Sequence, residues 1–164
     1  MAAVTSIYCI VYSSLCLSLY SVYIYSLILL TFCKSISHLC ISDPYVKIYL
    51  ICGNKRIRKK RTSVKHSTLN PVYNEAVTFD VPSANVEEVS LIVKVIDYDR
   101  IGYDELMGCV GIGTSYNGTG RDHWLDMLDN PRKPVAQWYT LMDSIPGPSP
   151  PTNSSIRFNC LTRR

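Results

Sequence analysis

The chain has 164 residues, 47% of them apolar and 18% charged, with a formal net charge of +4 at pH 7. This length suits one domain with an appendage and leaves no room for an additional catalytic domain. None of the seven cysteines forms a CxxC pair and histidine is scarce, which argues against a zinc site and a disulfide framework and favours a reducing setting such as the cytosol.

Residues 1–33 form an apolar segment without any charged side chain, and Lys34 is the first charge. Residues 7–32 are long enough to cross a bilayer, which takes about 20 apolar residues. The segment lacks a basic start and a clear cleavage site, so a cleaved signal peptide is not expected. As an anchor it would leave the following domain in the cytosol, because the positive charge comes after it.

The same apolar segment has two other interpretations. Its β-branched and aromatic residues suit strands as well as helices. Its low complexity also resembles translated non-coding sequence, which would make it a spurious start. A membrane anchor, a spurious start and an apolar segment packed on the domain therefore all stay open.

Short strands joined by turns are predicted for the central part of the chain. The strand patterns cover residues 45–50, 56–65, 76–81, 91–96, 106–112 and 138–141. Strand 91–96 is the most apolar and is expected to be the most buried, whereas strand 56–65 is strongly basic.

One helix is predicted before the last strand. Trp124, Leu125, Met127 and Leu128 have helical spacing, and Asp122 is placed to cap the helix. Several short strands followed by one helix predict an all-β sandwich. Residues 146–164 begin with a stretch rich in Pro, Gly and Ser and are predicted to form a disordered tail.

The run DYDRIGYDE at residues 97–105 is the most informative feature of the sequence. It places two carboxylates two residues apart, and two more after a glycine turn, directly behind a buried strand. Calcium prefers oxygen ligands of this kind, and binds about six to eight of them. Without further context, the same residues would also suit an ordinary acidic turn.

Three motifs resemble those of C2 domains and occur in the same order. They are SDPYVK at residues 42–47, TLNPVYNE at residues 68–75 and the acidic run at 97–105. The basic strand, GRDHW at 120–124 and the ending at 131–141 are similar to the second, C-terminal C2 domain of the synaptotagmins. The resemblance implies an eight-stranded antiparallel Greek-key β-sandwich over residues 34–145. Because the match begins late, this domain is expected to be N-terminally truncated and to lack its first strands, unless the apolar segment supplies surrogates.

The resemblance also implies a set of calcium ligands. They are Asp43, Asp97, Asp99 and Glu105, with Asp104 beside them and facing solvent. Ser37 stands where the family has a further Asp, so calcium binding is expected to be weak or lost. Ile101 and Tyr103 are expected to reach the lipid headgroups, the alternative being simple packing within the loop.

The basic strand is the second candidate site, with the cations Lys55, Arg56, Arg58, Lys59, Lys60 and Arg61. The family context implies that it binds acidic phospholipids including phosphoinositides, SNARE proteins such as syntaxin, and the clathrin adaptor. A solvated strand face is the plain alternative, and nucleic acid is not the expected partner. Arg132 and Lys133 resemble a basic pair at the far end of the family's domain, which helps to bridge a second membrane or a SNARE complex. A charged turn is the alternative for this pair.

The predicted function is a calcium-linked phospholipid-binding module acting in vesicle trafficking and regulated exocytosis. It would face the cytosol at a synaptic or secretory vesicle and the plasma membrane, with weak self-association. The alternatives are a calcium-independent adaptor that uses the basic strand alone, and a truncated product without a stable fold. An enzyme is not expected, because no nucleophile–base arrangement is evident. Trp138 is expected in the core, and His66 and His123 are given no ligand role.

Overall fold

The computed structural model describes residues 5–15, 21–32, 42–53, 55–68 and 70–144. These residues form a sandwich of two four-stranded antiparallel sheets, which confirms the predicted fold class. The strands are β1 (Thr5–Leu15), β2 (Ser21–Phe32), β3 (Pro44–Cys52), β4 (Lys55–Arg61), β5 (Val72–Pro82), β6 (Val89–Asp97), β7 (Glu105–Gly113) and β8 (Val135–Thr140). The strand order is β5-β2-β1-β8 in one sheet and β4-β3-β6-β7 in the other. Ser37 and the predicted tail at 146–164 lie outside the described residues.

The apolar segment supplies two strands of the sandwich. β1 pairs with β2 from Thr5 opposite Phe32 to Leu15 opposite Val22, and β1 also pairs with β8. In the described residues the segment thus packs on the domain as two strands, and the membrane anchor and the spurious start stay predictions. Its β-branched and aromatic residues favour this extended backbone. None of the helices in the described part of the chain is both long and apolar enough to cross a membrane.

The core lies between the two sheets and follows the period of two expected for strands. Val46, Ile48 and Leu50 of β3 point into it and are almost completely buried. Helix α1 (Thr119–Asp129) closes one side and contributes Trp124 and Met127, both fully buried. The helix was predicted at this position, but its capping residue was not.

The N-terminus of α1 differs from the prediction in one detail. Gly118 is the N-cap residue, with φ of 62°, and no side chain caps the helix. Asp122 lies within the first turn instead, where its negative charge is favourable near the positive end of the helix dipole. Gly118 suits the cap because the backbone there takes a left-handed conformation that a side chain would disfavour.

The cysteines that the structure describes differ in their chemical state. Cys9 and Cys109 are free thiols in the protein interior, and burial raises the pKa of Cys9 to about 12. Cys52, at the end of β3, is disulfide-bonded. The scattered spacing of the cysteines did not predict this bond at Cys52.

Candidate functional site

A polar cleft opens at one end of the sandwich, where three neighbouring strands begin or end. The register of the second sheet places Pro44 opposite Asp97, and Asp97 opposite Glu105. Residues directly opposite on antiparallel strands lie about 4.5–5.5 Å apart between Cα atoms. The residues that line the cleft are Asp43, Asp97, Tyr98, Asp99, Arg100, Ile101, Tyr103 and Glu105. The cleft therefore gathers all four carboxylates that the sequence singled out, together with the two loop-tip side chains.

Asp43 is held at the rim of the cleft by polar contacts of both its backbone and its side chain. Its backbone N–H donates to Oδ1 of Asp97 at 2.8 Å. Its own carboxylate accepts from the backbone N–H of Ser67 at 2.8 Å and lies 2.8 Å from Nδ1 of His66. The hydrogen bond from Ser67 and then the contact with His66 lower the pKa of Asp43 below its usual value. Asp43 therefore carries its negative charge at neutral pH.

His66 was not expected to take part in this site. It reaches Asp43 because the chain at residues 65–68 runs beside residues 42–44, with Lys65 N–H donating to Pro44 O and Thr68 N–H donating to Ser42 O at 3.0 and 3.1 Å. The two side chains are 23 positions apart in sequence. No local pattern could have indicated this contact.

The loop between β6 and β7, residues 98–104, is called the third loop below. It is ordered by one of its own carboxylates. Asp99 Oδ1 accepts a hydrogen bond from the backbone N–H of Ile101 at 2.9 Å, a turn that Asp favours. A Cβ at Gly102 would lie 2.6 Å from Asp99 Oδ2, so a larger residue would displace this carboxylate. The turn leaves Ile101 98% exposed and Tyr103 97% exposed. These two side chains project into solvent, and packing within the loop is not their role.

The four carboxylates share the cleft without converging on one point. Within the described ranges, no group of three or more His, Cys, Asp or Glu side chains is arranged to hold a metal ion. The donor chemistry nevertheless fits calcium, because all four side chains offer hard oxygen ligands and Asp43 is kept ionised. The side chain of Asp99 is held by its hydrogen bond from the Ile101 N–H, in the same loop that exposes the Ile101 side chain.

Asp104 is exposed to solvent, and it also contacts two side chains of β3. Its Oδ2 accepts a hydrogen bond from the Tyr45 hydroxyl at 2.5 Å and lies 3.5 Å from Nζ of Lys47. The hydrogen bond from Tyr45, with the charge of Lys47, holds the pKa of Asp104 below its usual value. Asp104 is absent from the lining of the cleft, although it is adjacent in sequence to Glu105.

The cations of β4 are divided between two faces of the strand. Arg56, Lys59 and Arg61 pair with Ile51, Tyr49 and Lys47, whose side chains lie on the outer face of the sheet. Lys55, Arg58 and Lys60 pair with Cys52, Leu50 and Ile48, which contribute to the core. The second set therefore points towards the flank of the sandwich, where Lys60 Nζ lies 5.8 Å from the Phe79 ring centroid.

The outer face carries more positive charge than β4 alone. Arg56 lies 4.8 Å and Lys94 5.9 Å from the ring centroid of Tyr49, and Lys47 pairs with Lys94 across β3 and β6. Among the ion pairs found in the described residues, none involves a cation of β4. We call this surface the outer basic face; its residues are Lys47, Tyr49, Arg56, Lys59, Arg61 and Lys94. Sequence reasoning missed Lys47, Tyr49 and Lys94, although their alternation along β3 and β6 was the available signal.

Comparison with known proteins agrees with this architecture. The family model described as "C2 domain" matches residues 28–127, which is more than half of the chain. The chain belongs to the C2 domain family. Its sequence relatives place this C2 domain among the synaptotagmins. Synaptotagmin-6 of Rattus norvegicus is 53% identical over 102 residues, covering 62% of this chain and 20% of that protein.

A second relative agrees with this assignment, and a solved structure agrees with the fold. Synaptotagmin-9 of Homo sapiens is 50% identical over 102 residues, covering 62% of this chain and 21% of that protein. The chain thus spans about a fifth of the length of the curated relatives it matches. The crystal structure of the RIM C2A domain from Drosophila superposes with a TM-score of 0.57 at 17% identity, covering 86% of this chain and all of that one. That similarity concerns the fold alone. C2 domains of synaptotagmin-like proteins are non-enzymatic binding modules.

The basic pair Arg132 and Lys133 lies at the end of the C2 domain opposite the cleft. It precedes β8, whose other end, Thr140, pairs with Ser6 on the cleft side of the sheet. Both side chains are exposed, and Arg132 has a φ of 68° in the turn after α1. The pair is therefore separate from both the cleft and the outer basic face.

Trp138 lies at the surface, whereas His123 is buried. Trp138 is 49% exposed, so the expectation that it belongs to the core is wrong. His123 is buried, with Nε2 2.9 Å from Val135 O and Nδ1 2.6 Å from the Tyr139 hydroxyl. Because a carbonyl oxygen only accepts, Nε2 donates and Nδ1 accepts. Burial lowers the pKa of His123, and its contacts tie α1 to β8.

Proposed function

We propose that this C2 domain is a calcium-linked module that binds acidic phospholipid membranes through the cleft. The observation that carries the proposal is the combination of four carboxylates and two almost fully exposed apolar side chains at one end of the sandwich. Carboxylates alone would repel an anionic membrane surface. Apolar side chains alone would not distinguish an anionic membrane from a neutral one. Their combination is suited to a membrane only when the negative charge of the cleft is offset.

Asp43, Asp97, Asp99 and Glu105 would hold the ion. Bound calcium would supply positive charge at the cleft and so change its electrostatics rather than its fold. Asp43 is already ionised, through Ser67 and His66. Ile101 and Tyr103 would then enter the headgroup region. Burying a fully exposed Ile side chain is worth about 1.5–3 kcal/mol.

A second candidate function is binding to acidic lipid without calcium, through the outer basic face. Its support is the absence of ion-pair partners for the β4 cations within the described residues. Each Lys or Arg near an anionic leaflet contributes about 1 kcal/mol. Five cations around Tyr49 would suit a phosphoinositide headgroup, and Ser37, in place of an Asp, favours this candidate over the first.

The same proposal includes a cellular role and protein partners for the module. The module would act in vesicle trafficking and regulated exocytosis, facing the cytosol at a vesicle or the plasma membrane. SNARE proteins such as syntaxin and the clathrin adaptor would be its protein partners at β4, and Arg132 and Lys133 would meet a second membrane or a SNARE complex. The family membership supports this role.

Vesicle binding of the full chain, with calcium and with chelator, tests both candidates. The vesicles contain phosphatidylcholine with phosphatidylserine, and a second set adds a phosphoinositide. Asp99→Asn removes the charge while it keeps the oxygen that accepts from Ile101. The double substitution Lys59→Ala with Arg61→Ala removes two positive charges from the outer basic face. Arg58→Ala with Lys60→Ala is its matched control, because it removes two positive charges from the flank of the sandwich.

Three outcomes decide between the candidates. Calcium-dependent binding that Asp99→Asn abolishes supports the cleft. Binding that is equal with calcium and chelator, and falls only in the Lys59/Arg61 variant, supports the outer basic face. Binding to neither set of vesicles, or binding indifferent to all these substitutions, refutes both.

A further inference from the structure

The contact between Asp104 and β3 lies just outside the cleft and has no part in the proposed ligand set. The Tyr45 hydroxyl donates to Asp104 Oδ2 at 2.5 Å across 59 positions of sequence. Lys47 Nζ lies 3.5 Å from the same oxygen and 5.0 Å from the Tyr45 ring centroid. Both residues therefore fix one carboxylate at the point where the third loop returns to the sheet.

The pleat of the strands decides which way the next side chain points. Tyr45 pairs with Ile96, and Ile96 pairs with Leu106, so these three side chains share the outer face. Asp104 is two residues before Leu106 and lies on that face too, as its contact with Tyr45 requires. Glu105 falls between them and points the other way, on the same face as Asp97, its partner in the register.

Tyr45 is a firm anchor for this arrangement. Its side chain is 1% exposed, and β3 is paired on both sides, with β4 and with β6. The Lys47–Asp104 ion pair is the weaker of the two contacts, since ion pairs at a partly exposed surface contribute little. The hydroxyl of Tyr45 therefore does most to hold Asp104.

We propose that Tyr45, assisted by Lys47, is a positioning residue that holds the third loop by Asp104 and so directs Glu105 into the cleft. The inference deepens the proposed function, since it rests on the cleft as the calcium site. It assigns Asp104 to the support of the loop and not to the ligand set.

The test compares two Tyr→Phe substitutions in the full chain, each of which removes one buried hydroxyl. Tyr45→Phe breaks the contact with Asp104. Tyr139→Phe breaks the 2.6 Å contact with His123, away from the cleft, and is the matched control. Calcium affinity is measured by titration calorimetry, and trypsin cleavage after Arg100, in chelator, is followed by mass spectrometry.

Tyr45→Phe is expected to weaken calcium binding about threefold to tenfold, the effect of one lost hydrogen bond. It is also expected to speed cleavage after Arg100 severalfold, and Tyr139→Phe is expected to change neither quantity. Asp104→Asn keeps an acceptor for Tyr45 and should lose less affinity than Asp104→Ala.

The possible failures are distinguishable. If the unaltered chain binds no calcium, the proposed function fails, and the cleavage rates alone then decide whether Tyr45 holds the loop. Unchanged affinity and unchanged cleavage in Tyr45→Phe would overturn the inference. Equal losses in the two Tyr→Phe variants would do the same, because the effect would then be one of general stability.

Discussion

Replacing Ile101 with Ala should weaken membrane binding strongly without altering the stability of the domain. Ile101 is 98% exposed at the tip of the third loop, so its side chain has almost all of its apolar surface available for transfer into a membrane. The substitution removes three carbon atoms, each worth about 0.8 kcal/mol when buried. The expected loss is about 2.4 kcal/mol, or roughly a fiftyfold rise in the dissociation constant for full insertion.

The assay is a titration of vesicles that contain phosphatidylserine, in saturating calcium, with the binding constant as the measured quantity. The thermal midpoint in chelator should stay the same, because the side chain is exposed in the folded state as well as in the unfolded state. Leu125→Ala is the control; Leu125 is an exposed apolar residue on α1, and its loss should leave vesicle binding unchanged. An affinity within twofold of the unaltered chain for Ile101→Ala would refute the idea that this loop enters the membrane.

Other predictions concern stability. A Cβ at Gly120 would lie 2.1 Å from Gly111 O, so Gly120→Ala should destabilise the domain by about 1–3 kcal/mol in urea unfolding. The Cβ of Gly118→Ala would meet no atom within 4 Å, so this substitution should lower the free energy of unfolding only by its backbone strain, about 1–2 kcal/mol. A smaller loss of unfolding free energy at Gly120 than at Gly118 would contradict the packing argument. Burial lowers the pKa of His123 in the folded state, so its contribution to stability is complete above the unfolded pKa of about 6.5 and declines as the pH falls below it. His123→Gln should flatten the change in unfolding free energy between pH 7 and 5, and an unchanged slope would show that another group is responsible.

The sequence was sufficient for the fold class and for six of the eight residues that line the cleft, for identifiable reasons. Strand positions followed from the alternation of apolar residues, as in the buried Val46, Ile48 and Leu50. Asp97 and Asp99 could be assigned to one loop because a strong strand leads directly into it. The cleft then follows from the register, which places Asp97 opposite Glu105.

Other features depend on contacts that no local pattern records. The partners of Asp43 and Asp104 are His66 and Tyr45, which are distant in sequence and meet only in the folded chain. The apolar segment was undecided because a strand in the centre of a sheet and a membrane segment have the same composition. Only the pairing with β5 and β8, which are far along the chain, distinguishes a strand from a membrane segment here.

The strand order of the first sheet has a consequence for how the domain is made. β1 lies between β2 and β8, so the first and the last strand of the described residues are direct neighbours. During synthesis, β1 lacks one of its two partners until β8 has left the ribosome. The sheet therefore closes late, with contacts of high sequence separation, and such topologies fold slowly. Until then the open edge of β1 is exposed to pairing with other chains, so chaperone contact during translation would protect this domain at its N-terminal strand.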